Sequence, residues 1–134
     1  MFGILNSGTL PALQETLNFA QKRHDLLASN IANLSTPGYR ARDISVDDFQ
    51  QALSDSIAGY NDRPSGSVTP FTRDDVFSGP RAATEQIVYH DDSDVSLEQQ
   101  VTEIGKNQHL QSMAITTMRS QFALLRAAIT ERAT

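Results

Sequence analysis

The sequence contains no cysteine among its 134 residues, which excludes disulfide frameworks, thiolate zinc sites and cysteine nucleophiles together. Long apolar runs are missing too. The longest is the four-residue stretch Phe122–Leu125, far short of the roughly 20 residues that cross a bilayer as a helix. Basic charge is scarce, with 11 Lys and Arg against 16 Asp and Glu for a net of −5. The chain therefore lacks the basic excess that drives nucleic-acid binding. Met1 is followed by Phe2, Gly3, Ile4 and Leu5, with no basic stretch and no long apolar segment, so a cleaved signal peptide is not expected. The length suits one compact unit, against a prior of roughly 150 residues per domain.

Charge is unevenly placed. Residues 1–40 carry Lys22, Arg23 and Arg40 against Glu15 and Asp25, a net of +1. Residues 41–95 carry four arginines against eleven acids, a net of −7, and residues 96–134 return to +1. Nearly neutral ends can pack closely against copies of themselves, whereas an acidic middle prefers water.

The ends also share a hydrophobic rhythm. Leu10, Leu13, Leu17, Ala20, Leu27, Ile31 and Leu34 alternate spacings of three and four, with His24 filling the one gap. That is the a/d seam of a heptad rather than a broad globular face. Thr9 is the expected N-cap and Pro11 falls in the first turn, where its missing N–H costs nothing. The helix is expected to stop near Asn33, because Thr36 precedes a proline and Pro37-Gly38 suits a turn. The second seam runs Leu97, Val101, Ile104, Gln108, Gln111, Ile115, Met118, Phe122, Leu125, Ile129, and Ser96 with Gln99 forms a capping box at its start. Helices over Leu10–Asn33 and Leu97–Thr130 would measure about 36 Å and about 51 Å, so part of the longer seam finds no match on the shorter. Two such seams hold little apolar surface for the chain they must order. Other copies are the expected source of the remainder, which makes this chain a subunit of an assembly.

Between the seams, Asn61–Ser78 reads as loop from its Pro, Gly, Ser and Asp content, Phe49–Ile57 as a short helix, and Glu85–Tyr89 as a strand in a small hairpin. The expected fold is mainly α, with terminal helices in a coiled coil and a loop-rich middle containing little β. The expected divisions are 1–9 (flexible), 10–57 (N-terminal helix and following loop), 58–93 (projecting segment) and 94–134 (C-terminal helix packed on the N-terminal one).

Candidate chemistry is thin. His90 with Asp91, Asp92 and Asp94 suggests a metal cluster, and residues 92–103 even place oxygen-bearing side chains at calcium-loop positions. Leu97 stands, however, where that loop turns on glycine, and the capping box makes the stretch a helix start. His24-Asp25 and His109 have no nucleophile beside them and read as seam and surface residues; Gln108 and Gln111 read as register-setting. Catalysis, cofactors, metals and small-molecule substrates are not expected.

One stretch is more specific. Leu27-Ala-Ser-Asn-Ile-Ala-Asn-Leu-Ser-Thr-Pro-Gly-Tyr39 resembles the N-terminal motif of bacterial flagellar rod and hook proteins, a helix ending in Ser-Asn-Ile-Ala-Asn, two further residues, then Thr-Pro-Gly-Tyr. Here the motif residues are Ser29, Asn30, Asn33, Thr36, Pro37, Gly38 and Tyr39. Val95-Ser96-Leu97-Glu98 and Phe122–Ile129 resemble the start and end of the family's C-terminal helix. Ser96 stands where the family usually has Asp, and Asp92 where an Asn-rich turn is common; both keep capping ability. The resemblance covers about residues 10–57 and 91–132, and the short length points to the proximal-rod subunits.

The resemblance implies a structural subunit of the proximal rod, the drive shaft carrying torque from membrane ring to hook, with terminal helices packed as in the rod and hook inner tube. Its implied partners are copies of itself, other proximal-rod proteins, the rod-base adaptor protein, the membrane ring, the flagellar type III export apparatus and a peptidoglycan hydrolase, with no nucleic acid among them. It implies a periplasmic location reached by export without a cleaved signal. The alternative from the seams alone is a soluble coiled-coil adaptor or export chaperone forming a discrete oligomer.

Overall fold

A computed structural model describes residues 8–62, 76–90 and 96–132. Helix α1 spans Thr9–Ala32, strand β1 Arg42–Ile44, helix α2 Val46–Asn61, helix α3 Ser78–Glu85, strand β2 Ile87–Tyr89 and helix α4 Leu97–Arg132. The chain is mainly α, with long terminal helices and little strand. The expectation of flexibility for residues 1–9 falls largely outside the described residues, as do Asp91–Asp94 of the acidic cluster.

Helix α1 ends at Asn33, where the turn chemistry places it. Its start differs by one residue: Gly8 is the cap, without a side-chain bond, and Thr9 lies in the first turn. Ser45 opens α2 by accepting a hydrogen bond from the Asp48 N–H at 3.2 Å, and Asp47 and Asp48 oppose the positive end of the helix dipole. The helix extends beyond the expected Phe49–Ile57 at both ends.

The middle is less loop-like than its composition suggests. Residues 78–85, within the segment expected to project, form α3, and its residues Pro80, Ala83 and Thr84 are buried, as is Phe77 at its cap. Glycine and proline oppose helix only weakly in the first turn, and packing against α2 decides the outcome. The expected strand is present, but its partner is distant. β2 pairs antiparallel with β1 in the register Arg42↔Tyr89, Asp43↔Val88, Ile44↔Ile87, with α2 and α3 between them rather than a hairpin turn.

The core forms where α1, α2, α3 and β1 meet. Phe19 and Phe49 stack with centroids 4.1 Å apart and planes 12° apart, with Leu26, Ile44 and Ala83 around them and Leu110 of α4 packed against the cluster. This corrects the expectation that α1 lacks enough apolar company within its own chain: α2, α3 and β1 supply it. Helix α4 is 12 residues longer than α1 and overshoots it by about 18 Å.

Thr36–Tyr39 forms a tight turn, with the Tyr39 N–H donating to the Thr36 carbonyl at 3.2 Å and Gly38 at φ 76°. Pro37 then Gly38 is the order a type II turn requires. Gly38→Ala is expected to destabilise the fold by about 1 kcal/mol, because a Cβ is strained at that φ even though the surrounding space is open. Urea unfolding measures it, and an unchanged midpoint would refute the turn assignment.

Candidate functional site

The Ser29–Tyr39 motif closes on itself around one asparagine. Asn30 is fully buried, and every polar valence of its amide is used. Nδ2 donates to the Arg42 carbonyl at 2.7 Å and to Gln100 Oε1 at 3.1 Å; Oδ1 accepts from the Arg42 N–H at 2.9 Å and the Tyr39 hydroxyl at 3.1 Å. The amide thus pairs with the Arg42 backbone as a neighbouring strand would, and locks α1, β1 and α4 in one register. Ser29 Oγ lies 3.4 Å from the Tyr39 hydroxyl and donates to it, since that hydroxyl's own proton points at Asn30. Asn33 Nδ2 caps the Ser29 carbonyl at 2.8 Å, and the Thr36 N–H donates to the Asn33 carbonyl at 2.9 Å. Spacing alone makes Thr-Pro-Gly-Tyr a turn; the structure makes it the return path that brings Tyr39 and Arg42 back to Asn30.

A second junction lies along α1 at Arg23, which is buried yet paired with two carboxylates. Its guanidinium grips Asp43 through Nε at 2.9 Å and Nη2 at 2.8 Å, and Nη2 also reaches Glu103 at 2.7 Å. Lys106 closes on the other Glu103 oxygen at 2.7 Å. Burial works against the Arg23 charge, but the hydrogen bonds and charges of Asp43 and Glu103 outweigh it and raise its pKa above the usual arginine value. The bonds from Lys106 and then Arg23 hold the Glu103 carboxyl below the ordinary glutamate range, against a smaller opposing effect of burial. A group depressed on folding stabilises above its unfolded pKa and loses that contribution as pH falls through its folded pKa. Acidification below about pH 4.5 is therefore expected to weaken the fold, and Glu103→Gln to flatten that dependence. Urea titrations of both chains at pH 7 and pH 3.5 test this; equal pH slopes would refute it.

Farther along α4, Asn107 Nδ2 donates to the Ala20 carbonyl at 2.7 Å, and Ala114 is buried. The fully buried residues of α4 are thus polar or small, Gln100, Asn107 and Ala114, with Leu110 packed against the core beside them. The heptad row expected from apolar spacing runs along the edge of the face these residues form, partly covered and partly exposed. Ile104, Gln111, Ile115, Met118 and Leu125 are half-buried, but Leu97, Val101, Gln108, Phe122 and Ile129 are exposed, Phe122 by 55% and Ile129 by 71%. On α1, Leu27 is buried, Leu10, Leu13, Leu17 and Ile31 are half-buried, and Leu34 is exposed. His24 is half-buried on the seam with Nδ1 enclosed and unpartnered, and His109 is exposed.

The buried stripe that apolar spacing misses on α1 is Ala12, Glu15, Phe19, Arg23, Leu26 and Asn30. Three of these six are polar. Among the described residues, no group of three or more His, Asp or Glu is placed to hold a metal ion, and no helix is long and apolar enough to cross a membrane. The arrangement is a scaffold with one unmatched apolar row, not a pocket lined for chemistry.

The family model described as flagella basal body rod protein matches residues 10–40, the whole of α1 bar its first residue and the turn that returns to Asn30. Over that stretch the chain is similar to the flagellar basal-body rod proteins. The rod protein FlgB of Salmonella typhimurium is 28% identical over 117 residues, covering 81% of this chain and 83% of that protein. FlgB of Yersinia enterocolitica is 50% identical over 46 residues, and that of Proteus mirabilis 58% over 44 residues. Those two matches take in 34% and 33% of this chain, and 31% and 30% of the respective rod proteins. No solved structure matches the chain.

Proposed function

We propose that this chain is a structural subunit of the bacterial flagellar basal-body rod, assembling through its terminal helices into the shaft that transmits torque from membrane ring to hook. The observation that carries the reading is the pairing of a fully satisfied rod-motif clasp at Asn30 with an apolar row on α4 that the chain leaves uncovered. The clasp fixes the shape of the subunit, and the row is what a neighbour covers. The seam residues Leu10, Leu13, Leu17, Leu27, Ile31, Leu97, Val101, Ile104, Ile115, Met118, Phe122, Leu125 and Ile129 act in assembly, those on α1 by holding the subunit's shape and the exposed ones on α4 by contact. Its neighbours are copies of itself and other proximal-rod proteins, with the rod-base adaptor protein, the membrane ring and a peptidoglycan hydrolase at the rod's ends and flank. The type III export apparatus delivers it to the periplasmic part of the basal body.

The test is biochemical isolation. Basal bodies purified from cells expressing a tagged chain are expected to contain it, and deletion of its gene to remove both rod and swimming. A chain that sediments as a fixed dimer or tetramer and is absent from basal bodies is the adaptor instead.

A further inference from the structure

We infer that the C-terminal overhang of α4 in one copy seats in the groove between α1 and α2 of a second copy, a head-to-tail contact; this deepens the rod reading and rests on it. The register Asn107–Ala20 and Gln100–Asn30 makes α4 antiparallel to α1, so Thr9 lies beside about Met118. Residues 119–132 then run about 20 Å beyond the first residue of α1 as unbroken helix. Phe122, Leu124 and Ile129 on this overhang are exposed by 55%, 52% and 71%.

The groove opens at the same end of the molecule. It holds about 410 Å³ between Thr9, Ala12 and Leu13 of α1 and Leu53, Ile57 and Asn61 of α2. Gly8 closes its end: a Cβ there would stand 3.1 Å from the Tyr60 ring. The volume suits two large apolar side chains, and the half-buried Leu13, Leu53 and Ile57 offer them a surface. A straight overhang leads away from its own groove, so it reaches only that of another molecule.

Charge selects the same pairing. Residues 46–62 contain Asp47, Asp48, Asp55 and Asp62 and no basic residue, whereas residues 119–132 contain Arg119, Arg126 and Arg132 against Glu131. An acidic helix beside the groove and a basic overhang attract each other and repel their own kind. A knob at one end of a subunit and its socket on another surface make a heterologous contact, which propagates as an open helix rather than closing as a dimer.

The absence of cysteine makes the test direct. Chains carrying only Ile57→Cys are mixed with chains carrying only Ile129→Cys or Phe122→Cys under mild oxidation, so any mixed disulfide joins two molecules. The expected result is a mixed product forming about tenfold faster than with Asp25→Cys as the exposed control partner. Adding Arg126→Glu to the overhang chain is expected to slow it. Equal rates for Ile57→Cys and the control overturn the docking, as does Leu5→Cys of the same chain capturing Ile57→Cys in preference, which would mean that the groove is filled from within. Presence of the wild-type chain in basal bodies is scored separately: absent cross-links with incorporation intact sink this contact alone, while cross-links without incorporation sink the rod reading alone.

Discussion

Chains carrying Phe122→Asp or Ile129→Asp are expected to fold as the parent does and to leave cells unable to swim. Both side chains are more than half exposed in the free subunit, so an aspartate at either place touches nothing that the fold depends on. Surface changes of this kind shift stability by no more than about 0.5 kcal/mol. In the proposed rod assembly the same positions would be covered, and a carboxylate buried without a partner costs several kcal/mol at each contact. The penalty recurs at every subunit. Circular dichroism of the purified variants should overlay the parent, while motility on soft agar should be lost. Normal swimming by both variants would remove the apolar row from the assembly.

Asn30→Ala is expected to cost about 4 kcal/mol, with the effect confined to folding. The substitution strands the Arg42 N–H and carbonyl, the Tyr39 hydroxyl and Gln100 Oε1 where water reaches them poorly, and each buried orphan costs about 1–3 kcal/mol. Asn30→Asp should be no better, because a carboxylate has no proton to give the Arg42 carbonyl or Gln100. Tyr39→Phe removes the hydroxyl's bond to Asn30 and its longer contact with Ser29, and should cost about 1 kcal/mol. Urea denaturation of the three variants tests the ordering; a loss under about 1 kcal/mol for Asn30→Ala would mean the clasp does not hold the three elements together.

Periodicity locates both long helices, because an alternation of three and four sustained over so many turns matches the helical repeat and never the two-residue repeat of a strand. The end of α1 is equally legible, since Pro37 and Gly38 act on the backbone alone. The rotation of those helices is not. A reading that scores apolar side chains passes over Glu15, Arg23, Asn30, Gln100 and Asn107, yet all five are buried. Each is buried because of a particular partner: Arg81 for Glu15, Asp43 and Glu103 for Arg23, the Ala20 carbonyl for Asn107. Such partners lie far away in sequence, and local pattern does not contain them. α3 and β1 escape for a related reason, being short pieces held by packing and by one asparagine rather than by propensity.

The family likeness picks out thirteen residues without saying why they belong together. Geometry supplies the reason. Ser29 and Asn33 finish the helix, Pro37 and Gly38 turn the chain, and Tyr39 returns to the asparagine that started the turn. The signature is thus the recipe for a corner.

The short ladder between β1 and β2 has one more consequence. The His90 N–H donates to the Ala41 carbonyl at 2.9 Å, so the chain leaves toward α2 and comes back from α3 through a single doorway. Both α2, which ends at Asn61, and α3, which starts at Ser78, belong to the stretch that departs and returns through it. A tag grafted between those two helices would therefore enter and leave by the same ladder, and the alignment of α1 with α4 would rest on contacts outside it.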